Sequence, residues 1–153
     1  MSNTKKQEKK EEKLTPHFTL EELTRTDYKE LKELNYQEGL KIKDKLVKLA
    51  EFAESVRAVL DCPLTVTSAF RCEKLNTKIG GSAMSQHLFA EAIDIIPMKM
   101  SAFEAFSKIM ISSIAYGQMI LEKRGNGYLI HISMGFKRQK MYSPKGGKYE
   151  NIL

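Results

Sequence analysis

LTVTSAFRCEKLNTKIGGSAMSQHLFAEAIDIIP, residues 64–97, contains two strand-like runs separated by a helical segment and a glycine pair. The first run, 64–70, follows Pro63 and is rich in β-branched residues, as a strand should be. The second, 92–96, is a buried strand stopped by Pro97. Between them, residues 72–79 predict a short helix that ends at Gly80-Gly81, where the backbone can turn left-handed. One residue violates the apolar pattern of the second run: Asp94, in A-I-D-I-I. A buried carboxylate is costly unless a cation or several donors face it. A metal ion meets that need, and so would Arg71.

Working outward, Thr19 and Glu22 form a capping box, with Phe18 and Leu23 at the staple positions, so a short helix is expected from Leu20. A second helix is expected over 39–60, where Ile42, Leu46, Leu49, Ala53, Val56 and Leu60 recur at steps of three and four. Ser101 and Glu104 form another capping box and open a helix carrying Phe103, Phe106, Ile109 and Met110. Residues 118–123 and 128–134 are strand-like, and the turn residues between them signal a hairpin. Segment 135–153 is basic and Gly-containing, with room for one edge strand. Helices clustered around short, mainly antiparallel strands give an α+β domain.

The chain has 153 residues and a formal charge of +6, enough length for one real hydrophobic core. Residues 1–14 are Lys- and Glu-rich and read as a disordered, solvated tail, which leaves 15–153 as a single domain beginning to order near Pro16. The positive charge suits an anionic partner: a cell wall, a nucleic acid or a membrane surface. No recognition helix or stacking-aromatic motif points to a specific nucleic acid, and no apolar run approaches the length of a membrane span. The N-terminus lacks an apolar signal core, so the expectation is synthesis in the cytoplasm, with delivery by lysis, a virion or an export machine if the substrate lies outside. Cys62 and Cys72 flank a strand and are expected to be free, buried thiols.

Only three histidines occur: His17, His87 and His131. His17 belongs to no motif and reads as a surface residue near the first helix cap. His87 and Asp94 lie in SQHLFAEAID, and His131 in LIHIS. Two imidazoles and one carboxylate are a donor set zinc accepts, and three ligands leave a position open for water, as a catalytic zinc site requires. A strand histidine satisfied within the core is the bland alternative.

The stretch TSAFRCEKLNTKIGGSAMSQHLFAEAIDI resembles the signature of zinc D-alanyl-D-alanine carboxypeptidases and murein endopeptidases: S-G-Y/F-R, L-N, G-G, S-x-H-x-x-G-x-A-x-D and a later W-x-H. Ser68, Phe70, Arg71, Leu75, Asn76, Gly80 and Gly81 match the approach, and Ser85, His87, Ala92 and Asp94 match the ligand motif. The opening PHFTLEEL is similar to the start of a short phage- and prophage-encoded branch. The resemblance implies a Hedgehog/D,D-peptidase-like fold and one zinc per chain held by His87, Asp94 and His131. It also implies hydrolysis of a peptidoglycan stem-peptide bond by an enzyme of carboxypeptidase or endolysin-like endopeptidase type, and a monomer is the expectation. Arg71 would hold a substrate carboxylate or carbonyl oxygen, with a structural ion pair to Asp94 or Glu91 as the alternative. Ser85 would touch substrate or orient the site through hydrogen bonds. The sequence departs from the family pattern at Ala90, in place of Gly, where a β-region backbone would accept the change, and at Ile130, in place of an aromatic residue.

Many relatives carry a catalytic acid three residues before the last histidine, a position held here by Tyr128, and a phenol is a poor base at neutral pH. Glu122, in QMILE, is the expected substitute. If the turn centres on Gly125-Asn126, Glu122 faces Leu129 and shares a face with His131, diagonal to it. An ordinary solvent-facing Glu near a turn is the competing reading, and a wall-binding or virion protein without activity is the competing function.

Overall fold

The computed structural model describes residues 11–144 and 150–151. The chain runs α1 (Leu20–Leu23), a 3-10 turn (Lys29–Leu31), α2 (Lys32–Leu40), α3 (Lys43–Leu60), β1 (Leu64–Ser68) and α4 (Glu73–Lys78). It continues with a second 3-10 turn (Gln86–Phe89), β2 (Ala92–Pro97), α5 (Ala102–Ile111), β3 (Gln118–Arg124), β4 (Gly127–Ser133), β5 (Gln139–Ser143) and β6 (Glu150–Asn151). The six strands form one sheet in the order β1-β2-β4-β3-β5-β6. All neighbours are antiparallel except β3 and β5. The architecture is α+β, as expected.

The sheet has two faces of different character. Ile93 and Ile95 of β2, with Ile130 and Ile132 of β4, are buried together with Leu46, Leu49, Ala53 and Val56 of α3 and Phe106 and Ile109 of α5. Side chains alternate along a strand, so the residues between them point the other way. Asp94, His131 and Ile120 sit at one register level across β2, β4 and β3 and share that opposite face. The fold thus buries its apolar strand residues under helices and turns its chemistry to the far side.

Thr19 caps α1 as a reciprocal box: its hydroxyl accepts from the Glu22 N–H at 3.2 Å, and the Glu22 carboxylate accepts from the Thr19 N–H at 2.9 Å. Ser101 accepts from the Glu104 N–H at 3.1 Å and starts α5. The helix expected over 39–60 begins later, at Lys43, because Ile42 leaves the helical region with φ −121° and ψ 31°. A separate helix, α2, precedes it. Its sequence KELNYQEGL is mostly polar and carries little apolar periodicity, so pattern alone does not find it. The first ten residues of the charged N-terminal stretch lie outside the described residues. Order extends ahead of Pro16, since Lys13 bridges to Thr19 and the Leu20 N–H donates to the Glu12 carbonyl at 2.8 Å. His17 is a surface residue near the cap, and its Nδ1 pairs with Glu54 at 2.8 Å. The segment after Gly135 supplies two strands rather than one edge strand, and one of them, β5, runs parallel to β3. Cys62 and Cys72 are free and buried. Among the described residues, no helix is long and apolar enough to cross a membrane.

Asn35 of α2 ties the helices to the segment that enters the site. It is fully buried. Its amide donates to the Thr24 carbonyl at 2.7 Å and the Phe70 carbonyl at 3.1 Å, and its side-chain oxygen accepts from the Cys72 N–H at 2.8 Å. Arg71 is therefore held on both sides by one side chain. Asn35→Ala strands three buried backbone groups, and since each costs about 1–3 kcal/mol, urea unfolding is expected to show a loss of about 3 kcal/mol or more.

Candidate metal centre

Three side chains meet on the open face of the sheet. Asp94 and His131 are direct cross-strand partners in β2 and β4. His87 arrives from the second 3-10 turn, whose N-cap Ser85 accepts from the His87 N–H at 3.3 Å. Ser85 thus acts on the backbone that carries His87. The turn closes on Ala90, whose φ of +53° lies in the left-handed region. The expectation of a β-region backbone at Ala90 was wrong. The chain needs a tight reversal there to pass from the turn into β2, and an L-residue with a Cβ pays roughly 1–2 kcal/mol for it, which explains why a glycine suits this position. On the other side of the cleft, Gly80 has φ +72°, and a Cβ on Gly81 would stand 2.1 Å from the Asn76 side-chain oxygen. That close approach gives the L-N and G-G elements a physical reason.

The hydrogen bonds fix which nitrogen of each imidazole faces inward. His87 Nδ1 lies 2.6 Å from the Ala69 carbonyl, which can only accept, so Nδ1 carries the hydrogen. His87 Nε2 then faces Asp94 Oδ1 at 3.2 Å. His131 Nε2 lies 3.1 Å from the Gln86 side-chain oxygen and its Nδ1 lies 2.9 Å from the same Asp94 Oδ1, so both ring nitrogens face acceptors. His87 Nε2 and His131 Nδ1 thus face one carboxylate oxygen, where each donates a hydrogen when it carries one and offers a lone pair to a cation when it does not. The three donor atoms all lie within 4.8 Å of one another, a grouping that can hold a metal ion. The 3.2 and 2.9 Å separations compare with the roughly 3.3 Å edge of a tetrahedron whose bonds are about 2.0–2.1 Å. The residues present fit zinc.

Asp94 is 3% exposed. Burial pushes its carboxyl pKa up, but the charge of His87 and hydrogen bonds from His131 and His87 outweigh burial and hold it well below the usual carboxylate range. Arg71 adds a further cation, its Nη2 3.5 Å from Asp94 Oδ2, while its Nε donates to the Ser68 hydroxyl at 2.9 Å. The ion-pair alternative for Arg71 is therefore present in the structure, with Asp94 rather than Glu91 as partner.

A cleft of about 890 Å³ opens over this group and is also lined by Arg71, Ser85, Glu122 and Arg124. The hairpin register is the expected one: Glu122 opposite Leu129, Lys123 opposite Tyr128, Arg124 opposite Gly127. Glu122 is buried, at 5% exposure, and not a solvent-facing residue at a turn. Its Oε1 lies 2.6 Å from Arg124 Nη2. Tyr128 points to the opposite face, edge-on to the Phe103 ring at 4.7 Å, so it offers the cleft no acid. Sequence reasoning missed Gln86 and Arg124. Gln86 occupies the unspecified position of the S-x-H element, and its partners lie over forty residues away in sequence.

A family model described as Peptidase M15 matches residues 16–133, most of the chain. No curated protein matches it.

A ligand that binds only the folded state stabilises it, by about 2.7 kcal/mol at a hundredfold excess over its dissociation constant. Saturating zinc is expected to raise the melting temperature of the metal-stripped protein by roughly 5–10 °C, at about 2–4 °C per kcal/mol for a chain of this size. Asp94→Asn, compared with its own zinc-free state, is expected to lose that shift.

Proposed function

The chain belongs to the Peptidase M15 family, zinc peptidases that act on peptidoglycan, and from that premise we propose that it hydrolyses an amide bond in the stem peptide through a site made of His87, Asp94, His131, Glu122 and Arg71. The observation that carries the reading is the convergence of His87 Nε2 and His131 Nδ1 on one oxygen of the buried Asp94 carboxylate. The reaction is either removal of a terminal D-alanine or cutting of a cross-link, in the manner of an endolysin of a short phage-type branch.

His87, Asp94 and His131 would hold the metal. When bound, zinc supplies a Lewis acid that polarises a carbonyl oxygen and makes water a better proton donor near neutral pH. Glu122 lines the cleft on the strand beside His131, where it takes the proton of the attacking water and returns it to the departing amine. The bond that breaks is the amide C–N, the bond that forms is C–O, and the proton ends on the amine. Arg71 bears a permanent, forked charge and anchors a carboxylate or carbonyl oxygen of the substrate while its Asp94 contact steadies that ligand. Ser85 braces the turn under His87 at the cleft wall. The formal charge of +6 favours approach to an anionic wall.

Glu122→Gln keeps the shape and removes the base. Release of new amines from purified peptidoglycan is expected to fall by about 10²- to 10⁴-fold with zinc content unchanged. Unchanged amine release would remove Glu122 from the mechanism. Mass analysis of the wild-type products separates the two reactions, since a carboxypeptidase frees alanine and an endopeptidase converts cross-linked stems into single ones.

A further inference from the structure

We propose that Gln86 is a positioning residue that sets the orientation of His131 and thereby the metal affinity of the site. This rests on the reading of His131 as a ligand. The side-chain oxygen of Gln86 accepts from His131 Nε2–H at 3.1 Å, and its amide nitrogen donates to the Ser133 hydroxyl at 3.1 Å. His131 and Ser133 are two apart on β4 and so point to the same face. One carboxamide therefore spans the pair, with its oxygen on the imidazole and its nitrogen on the hydroxyl. Ser133 is fully buried, and its oxygen also accepts from the Gln118 N–H at 2.9 Å. In this arrangement the Ser133 oxygen takes the NH₂ end of the amide and the ring takes the carbonyl.

The consequence is chemical. The acceptor at Nε2 gives the His131 hydrogen a partner there, which lets Nδ1 present a lone pair to a metal beside Asp94 Oδ1. Without that acceptor, the neutral ring gains by moving its hydrogen to Nδ1 and donating to the carboxylate 2.9 Å away, which closes the site to a metal. Gln86 also precedes His87 in the same 3-10 turn. A single turn thus delivers one donor directly and orients the other, so the spacing of the two halves of the site is set by one short element.

The test uses the full-length protein and three measurements on Gln86→Leu and Gln86→Glu. Zinc affinity by chelator competition is expected to weaken about 10- to 100-fold in Gln86→Leu, the range for loss of a group that orients a metal ligand, and to recover in Gln86→Glu, which keeps an acceptor oxygen. The melting temperature of the zinc-free variants reports any merely structural effect and is expected to stay within a few degrees of wild type. In zinc-free, histidine-labelled protein, the His131 Nε2–H proton is expected as a slowly exchanging resonance in wild type and Gln86→Glu, and to vanish into solvent exchange in Gln86→Leu. A Gln86→Leu protein that folds and keeps wild-type zinc affinity overturns the proposal, as does a His131 resonance that the substitution leaves unmoved. Wild-type protein that binds no zinc but shows the resonance change would strike the proposed function instead.

Discussion

Burying the Asp94 carboxylate in the middle of an apolar strand costs free energy on the order of several kcal/mol unless positive or hydrogen-donating groups surround it, and much of the fold is arranged around that requirement. Asp94 is 3% exposed between Ile93 and Ile95, which both belong to the core. One oxygen faces both imidazoles and the other faces the Arg71 guanidinium. Removing one partner would leave a charge in a low-dielectric setting, so these contacts are coupled. A bound cation satisfies the same carboxylate and both ring nitrogens together.

Each partner reaches Asp94 by a different structural route. His131 does so through sheet register alone, as its cross-strand neighbour. Arg71 follows a bulge between Val66 and Ser68, after which Ser68 comes level with Asp94. Its backbone is pinned on both sides by Asn35, and its side chain by Ser68. His87 depends on the Ser85 cap, the left-handed Ala90 and the Ala69 carbonyl. Glu122 is carried by the β3–β4 hairpin and is kept beside Arg124 on the cleft wall. Sheet register places the members that sit on strands, and local turn geometry places His87.

Much of this was legible in the sequence because it follows from local rules. The capping boxes, the period-two strands and the Gly80-Gly81 stop depend on near neighbours. The hairpin register, which puts Glu122 on the His131 face, needed only the turn residues and side-chain alternation. The misreadings have physical causes. Helix α2 has no apolar signature because its two buried residues are Asn35, which is polar and satisfied by tertiary hydrogen bonds, and Gly39. The left-handed backbone at Ala90 has no signature in the sequence, because nothing in a one-residue Gly-to-Ala change reports the sign of φ. Gln86 and Arg124 were passed over because their partners emerge only when distant strands and turns are brought together. The parallel pairing of β5 with β3 likewise has no local signal.

The central claim is that His87, Asp94 and His131 form one zinc site on which amide hydrolysis depends. The most direct measurement is zinc content per chain together with release of new amines from purified peptidoglycan, for wild type and His131→Ala. The account requires one zinc per chain with amine release in the wild type, and loss of both in the variant. Wild-type protein that holds no zinc, or a His131→Ala protein that keeps both zinc and activity, would contradict it.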